Sequence, residues 1–146
     1  MLAILIFVGC KKYPDGGYLI HINKIPGPYR IDELTVNGID STSSFNGNPC
    51  YCNRIFQFSF VEDNGFGAKL QSNCGTFPTN TWQIAGDRRQ ILITFVYTAS
   101  AGSLYPFIVN QNTTITWDIQ RLKKDDLWLK TNLNGKEYYL KLVYTH

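Results

Sequence analysis

"ITWDIQRLKKDDLWLKTNLNGKEYYLKLVY", Ile115 to Tyr144, decides the fold class. Three short runs follow one another, each alternating apolar with polar residues: Ile115, Trp117 and Ile119; Leu127 and Leu129; Tyr138, Leu140, Leu142 and Tyr144. Successive side chains of a strand point to opposite faces, so period two marks strands with one face buried. Asn134-Gly135, between the last two runs, supplies residues that tolerate the positive φ of a tight hairpin turn.

The same rhythm extends toward the N-terminus. Tyr29 to Val36 reads as a first strand ended by Asn37-Gly38, and Arg54 to Glu62 as a second with Phe56, Phe58 and Phe60 on one face. Asp63–Gly65 turns that strand into Phe66, Ala68 and Leu70; Trp82 and Ile84 precede Gly86-Asp87; Ile91, Ile93, Phe95 and Tyr97 complete the set. No stretch places apolar residues at i, i+3, i+4 and i+7, so no long helix is expected. Eight strands joined mostly by short turns predict an all-β chain. Its expected architecture is an antiparallel up-and-down barrel, since closure removes exposed sheet edges. A two-sheet β-sandwich is the alternative. Ile39–Asn53 and Ala99–Asn112, rich in Ser, Gly and Asn, break the rhythm and are expected at the barrel rims, where function usually resides.

Composition bounds the function. The 146 residues carry a modest 17% of charged side chains and 14% of aromatic ones, which suits one folded domain rather than a disordered chain. The net charge is +3, and the basic residues are scattered or in short pairs such as Arg88-Arg89 and Lys123-Lys124; no basic stripe for nucleic acid exists. His21 falls in an expected linker and His146 is the last residue, so neither is placed as a general base. Asp63, Asp87, Asp125 and Asp126 fall in turns, where Asp is favoured for its backbone hydrogen bonds. No phosphate-binding glycine loop or nucleophile motif is present. The expectation is therefore a non-enzymatic protein with no catalytic residue, no metal and no cofactor, acting as a monomer.

Cys50, Cys52 and Cys74 carry the remaining chemistry. If Asp63–Gly65 is a hairpin turn, Cys74 returns beside the residues just before Arg54. Cys52 is then the nearer disulfide partner, with Cys50 two residues further off. A C-x-C pair with a distant Cys also suggests metal, but a fourth ligand is missing.

The chain begins "MLAILIFVGCKKYPDGG". Met1–Val8 is an unbroken apolar run, too short to cross a hydrocarbon core of about 30 Å, and reads as the h-region of a signal peptide. Phe7-Val8-Gly9-Cys10 resembles the end of a bacterial lipoprotein signal, which implies diacylglycerol on the Cys10 thiol and cleavage just before it. The expected organisation is a signal peptide over 1–9, whose start lies upstream of Met1, a lipidated Cys10 and tether over 10–28, and a barrel domain over 29–146. The "KKYPDGG" stretch and Pro26-Gly27-Pro28 carry the tether reading.

"IDELTVNGIDST" and "ITWDIQRLKKDDLWLKTNLNGKEYYLKL" together resemble the lipocalin-like domain of small Bacteroidota lipoproteins. Val36, Asn37 and Gly38 occupy that group's first-strand positions. Ile119, Leu122, Leu127, Leu129, Asn134, Gly135, Tyr138 and Leu140 occupy those of its last hairpin, and Tyr29 stands where the group usually has Trp. The resemblance covers Tyr29 to Tyr144. It implies an eight-stranded lipocalin-like barrel, lipid-anchored in the outer membrane on its periplasmic or cell-surface side, without enzyme activity.

Eight strands enclose either a solid core or room for one small ligand. The inward candidates are Phe56, Phe58, Phe60, Trp82, Phe95, Trp117, Leu129, Tyr138 and Leu142. Phe58, Trp82, Phe95, Trp117 and Tyr138 are the candidate walls of a cavity for a small hydrophobic ligand, with N–H and O–H groups to orient a polar end. The alternative is an accessory envelope module that meets protein or glycan through exposed aromatics among Tyr97, Tyr105, Trp128, Tyr139 and Tyr144. Asp40–Thr42, "DST", also resembles the short O-glycan acceptor motif of Bacteroidota secreted proteins.

Overall fold

Asn37 and Gly38 take φ of 51° and 78°, and Asn134 and Gly135 take 52° and 74°. Two successive positive values match the twist of the strands they join, so both pairs close tight hairpins. The computed structural model describes residues 12–17, 25–45, 55–61, 65–71, 80–95 and 113–146. Among them are nine strands: β1 Gly27–Val36, β2 Ile39–Asp40, β3 Ile55–Val61, β4 Gly65–Gln71, β5 Asn80–Ala85, β6 Gln90–Phe95, β7 Thr113–Leu122, β8 Asp126–Leu133 and β9 Lys136–Tyr144. A single 3-10 turn, Thr42–Phe45, is the one helical element described. The chain is all-β.

All nine strands belong to one antiparallel sheet, in which each strand from β3 to β9 pairs with the next. The first strand has several partners. Gly27–Arg30 of β1 pairs with β3, Tyr29–Val36 with β9, and Thr35 and Val36 with the two residues of β2. The Phe-rich hairpin has the register expected of it, with Phe56, Phe58 and Phe60 opposite Leu70, Ala68 and Phe66.

Two strands depart from strict alternation. In β1 the buried residues are Tyr29, Ile31 and Leu34, and in β7 they are Ile115, Trp117, Ile119 and Leu122. Each strand carries one extra residue against its partner, Asp32 between Ile31 and Glu33 and Gln120 between Ile119 and Arg121. Such a bulge lets the next apolar residue turn back to the buried face. The core then joins Ile91, Ile93, Leu127, Leu129, Leu140 and Leu142 to these two sets.

Two stretches read as linker are structured instead. Ile25 is fully buried and Gly27 and Pro28 already belong to β1, so the linker expected to reach Tyr29 ends earlier. Lys12–Gly17, expected within the tether, is docked on β7. Tyr13 is only 3% exposed and belongs to the core. Gly17 forms a parallel bridge to Leu122, and the Asp15 and Leu122 amides donate to the Gln120 and Gly16 carbonyls at 2.7 and 3.2 Å. The bulge at Gln120 helps to make this possible, because its residue is left out of the β7–β8 ladder. A Cβ on Gly17 would lie 1.7 Å from the Leu122 carbonyl oxygen, so only glycine allows this approach.

The sheet has two unlike ends. At the docked end lie Lys12–Gly17, the turns Gly86–Arg89 and Lys123–Asp125, the start of β1 and the end of β9. At the opposite, loop end lie the two Asn-Gly turns, and from there leave the connections β2 to β3, β4 to β5 and β6 to β7. Ile39, 70% exposed, stands at that end on β2.

Candidate functional site

Three of the five residues expected to wall a ligand cavity have described side chains, and all three lie on the buried face. Trp82 on β5, Trp117 on β7 and Tyr138 on β9 are 2%, 1% and 7% exposed. Period two placed them there. Phe58 and Phe95 sit opposite Ala68 and Thr113 in their ladders, and their side chains lie outside the description. Cys10, Cys50, Cys52, Cys74, His21, Tyr97 and Tyr105 also lie outside the described residues.

Depth along the strands separates Trp117 from Tyr138. Trp117 pairs with Ile91 in mid-sheet and is flanked by buried Ile115 and Ile119. Tyr138 lies nearer the loop end, two residues into β9 after the Asn134-Gly135 turn and paired with Thr131 of β8. Thr131 is the one buried polar residue among the described residues, and its hydroxyl donates to the Thr116 carbonyl at 2.7 Å. Sequence reasoning missed it, because threonine suits either face of a strand. Tyr138 and Thr131 thus bring two hydroxyls to the buried face near the loop end.

Apolar and aromatic side chains pack the buried face at the docked end. Tyr13, Ile25, Tyr29, Leu122 and Leu127 are all buried, and Tyr29 packs edge-on against Tyr144 with ring centroids 5.4 Å apart. The Tyr13 hydroxyl donates to the Arg88 carbonyl at 2.7 Å. Burial pushes the Tyr13 pKa up to about 12, although Arg88 and Arg89 oppose the shift. Burial likewise raises Tyr29, with Tyr144 and Asp125 adding to it. Both phenols stay protonated at neutral pH, and Tyr13 serves as a donor. Beside Tyr13 a cavity of about 200 Å³ is lined by Lys12, Tyr13, Pro14, Arg89, Asp118, Ile119 and Gln120.

The outward aromatics of β8 and β9 are occupied by the protein's own charges. The Arg121 guanidinium lies 4.6 Å and the Lys141 ammonium 5.1 Å from the Trp128 ring centroid. Arg121 also pairs with Asp126 at 2.7 Å and donates to the Asp15 carbonyl, while Lys141 pairs with Glu33 at 2.8 Å. The Tyr139 hydroxyl donates to the Asp15 carboxylate. Its pKa is raised by burial first and by Asp15 second. Cations over an indole are attracted by its ring, so Trp128 ties Arg121 and Lys141 to the sheet, while Tyr139 and Arg121 hold the docked segment through Asp15.

Asp40–Thr42 has a structural use as well. Asp40 Oδ1 accepts from both the Thr42 amide and the Thr42 hydroxyl, at 2.9 and 2.6 Å, and the same hydroxyl accepts from the Leu34 amide at 3.0 Å. The motif pins the 3-10 turn to β1. His146 is 72% exposed in its side chain and lies 3.3 Å from Asp125. Neither protein families nor characterised proteins nor solved structures yield a match to this chain.

Proposed function

We propose that the chain is a non-enzymatic lipoprotein of the outer membrane, anchored through lipid on Cys10, whose sheet closes as an eight-stranded lipocalin-like barrel and takes up a small hydrophobic ligand from the loop end. Closure is supported by β1, which pairs with β3 along one stretch and with β9 along another, so that the ladder returns to its first strand. The observation that carries the ligand reading is the asymmetry of the ends. Tyr13, Ile25 and Tyr29 are packed at one, and toward the other Tyr138 and Thr131 put polar side chains on the buried face, beside the two Asn-Gly turns. An apolar interior with a few polar groups near its mouth is the usual design of a site for a small amphipathic molecule.

A disulfide belongs to the same reading. The ladder pairs Ile55 with Gln71, and each step beyond it adds one residue on both sides, so its continuation would bring Cys52 opposite Cys74. Cys50 would be left over.

The test is titration of purified Cys10→Ser protein with a dansyl-labelled undecanoic acid. Saturable enhancement, displaced by an envelope lipid extract and weakened by Tyr138→Ala but not by Arg88→Ala, is expected. Failure of the wild-type chain to bind the probe or to gain thermal stability from the extract would refute the carrier reading.

A further inference from the structure

The geometry of Lys12–Gly17 bears on how the molecule stands on a membrane. The segment is held at many points: the buried Tyr13 ring and its bond to the Arg88 carbonyl, the Asp15 and Leu122 amide bonds, the Gly17 bridge, and the bonds of Arg121 and Tyr139 to Asp15. Only Lys11 separates its first residue from Cys10. Two residue steps reach at most about 7 Å, whereas the ten residues of β7 run about 33 Å from one end of the sheet to the other.

We infer that Lys12–Gly17 is a rigid mount, which sets the docked end of the sheet against the phospholipid headgroup layer and turns the loop end away from it. The inference rests on lipid at Cys10. With the lipid glycerol at the interface and Lys12 within about 7 Å of its cysteine, the docked end stays at the headgroups while Tyr13 stays docked, and the loop end could meet them only if the sheet lay on its side.

The surface chemistry of that end fits headgroups rather than acyl chains. Lys12, Arg88, Arg89, Lys123 and Lys124 are exposed there. Asp15 and Asp118 beside them accept hydrogen bonds from Tyr139 and Gln90, His146 lies 3.3 Å from Asp125, and Asp87 is exposed in the same turn as Arg88. The cavity between Lys12, Arg89 and Asp118 opens among these charges. Among the described residues the one large hydrophobic side chain that is exposed, Ile39, stands at the opposite end. Contact is therefore polar and shallow. It leaves the loop end, where the ligand is proposed to enter, facing the aqueous space.

Lysines at both ends serve as reporters. Lipidated protein in phosphatidylethanolamine and phosphatidylglycerol vesicles is acetylated with a water-soluble amine reagent, and site-by-site rates are read by mass spectrometry against soluble Cys10→Ser protein. Lys123 and Lys124 should react several-fold more slowly on vesicles, and Lys136, beside the Asn134-Gly135 turn, at an unchanged rate. Tyr13→Ala should abolish the difference while the lipid stays in place. Equal protection of both ends, protection of Lys136 alone, no protection at all, or protection that survives Tyr13→Ala would overturn the mount. The N-terminal peptide in the same spectra shows whether Cys10 carries lipid, so failure of the lipoprotein reading is seen separately. In that event, the same measurement on a chain held to nickel-chelating lipid by a hexahistidine tag before Lys11 decides the orientation by the same criteria.

Discussion

Trp117→Ala probes how solidly the middle of the sheet is filled. The indole is 1% exposed, lies opposite Ile91 in the β6–β7 ladder, and has Ile115 and Ile119 on the same face two residues away on either side. All of these neighbours are themselves buried, on strands held by hydrogen-bonded ladders, so the surroundings have little freedom to collapse into the space left behind. Truncation to alanine then costs the transfer free energy of the indole together with a cavity term, about 3–5 kcal/mol in all. For a chain of this size 1 kcal/mol moves the midpoint by roughly 4 °C, so a fall of about 12–20 °C is expected. The assay is thermal and urea unfolding of the soluble chain. Thr116→Ala, on the exposed face of the same strand, is the control and should cost about 1 kcal/mol or less. A Trp117→Ala loss below about 1 kcal/mol, or one no larger than that of the control, would refute a packed mid-sheet and place the indole beside open space.

Gly17→Ala drives a Cβ into the Leu122 carbonyl and should undock Lys12–Gly17; amide exchange would show Asp15 and Leu122 losing protection while β8 and β9 keep theirs. Tyr13 should make the docked segment sensitive to alkali. Its folded pKa of about 12 lies above the unfolded value of 10.0, so its contribution is complete below pH 10 and is lost as pH rises toward 12, which Tyr13→Phe should remove from the pH profile of stability. Thr131→Val deletes the bond to the Thr116 carbonyl at nearly constant volume and should cost about 0.5–1.5 kcal/mol in urea unfolding. Non-reducing peptide mapping of protein from an oxidising compartment should find Cys52 joined to Cys74, and reduction should cost about 2–4 kcal/mol; three free thiols would contradict it.

What was legible in the sequence was whatever adjacent residues decide among themselves. Period two located β5 to β9 and put Trp82, Trp117 and Tyr138 on the buried face, because side-chain direction alternates along any strand. The Asn-Gly pairs marked the end of β1 and the β8–β9 turn, because Asn and Gly tolerate positive φ, whereas the short β2 lay inside a stretch read as loop. The register of the Phe-rich hairpin followed from its turn. Tertiary structure alone decided where that alternation breaks. Asp32 and Gln120 carry no signal of a bulge, and each became one because the ladder to a partner strand closes only with a residue left out. The same holds for Lys12–Gly17. Lysine, proline, aspartate and glycine in a row read as a tether, and what makes them a docked segment is a socket for Tyr13 that exists only after β7 and the Gly86–Arg89 turn have come together. Trp128 likewise read as an exposed aromatic until Arg121 and Lys141 arrived from the strands on either side. Burial, bulges and cation contacts depend on residues distant in the chain, and no local pattern records which of them will meet.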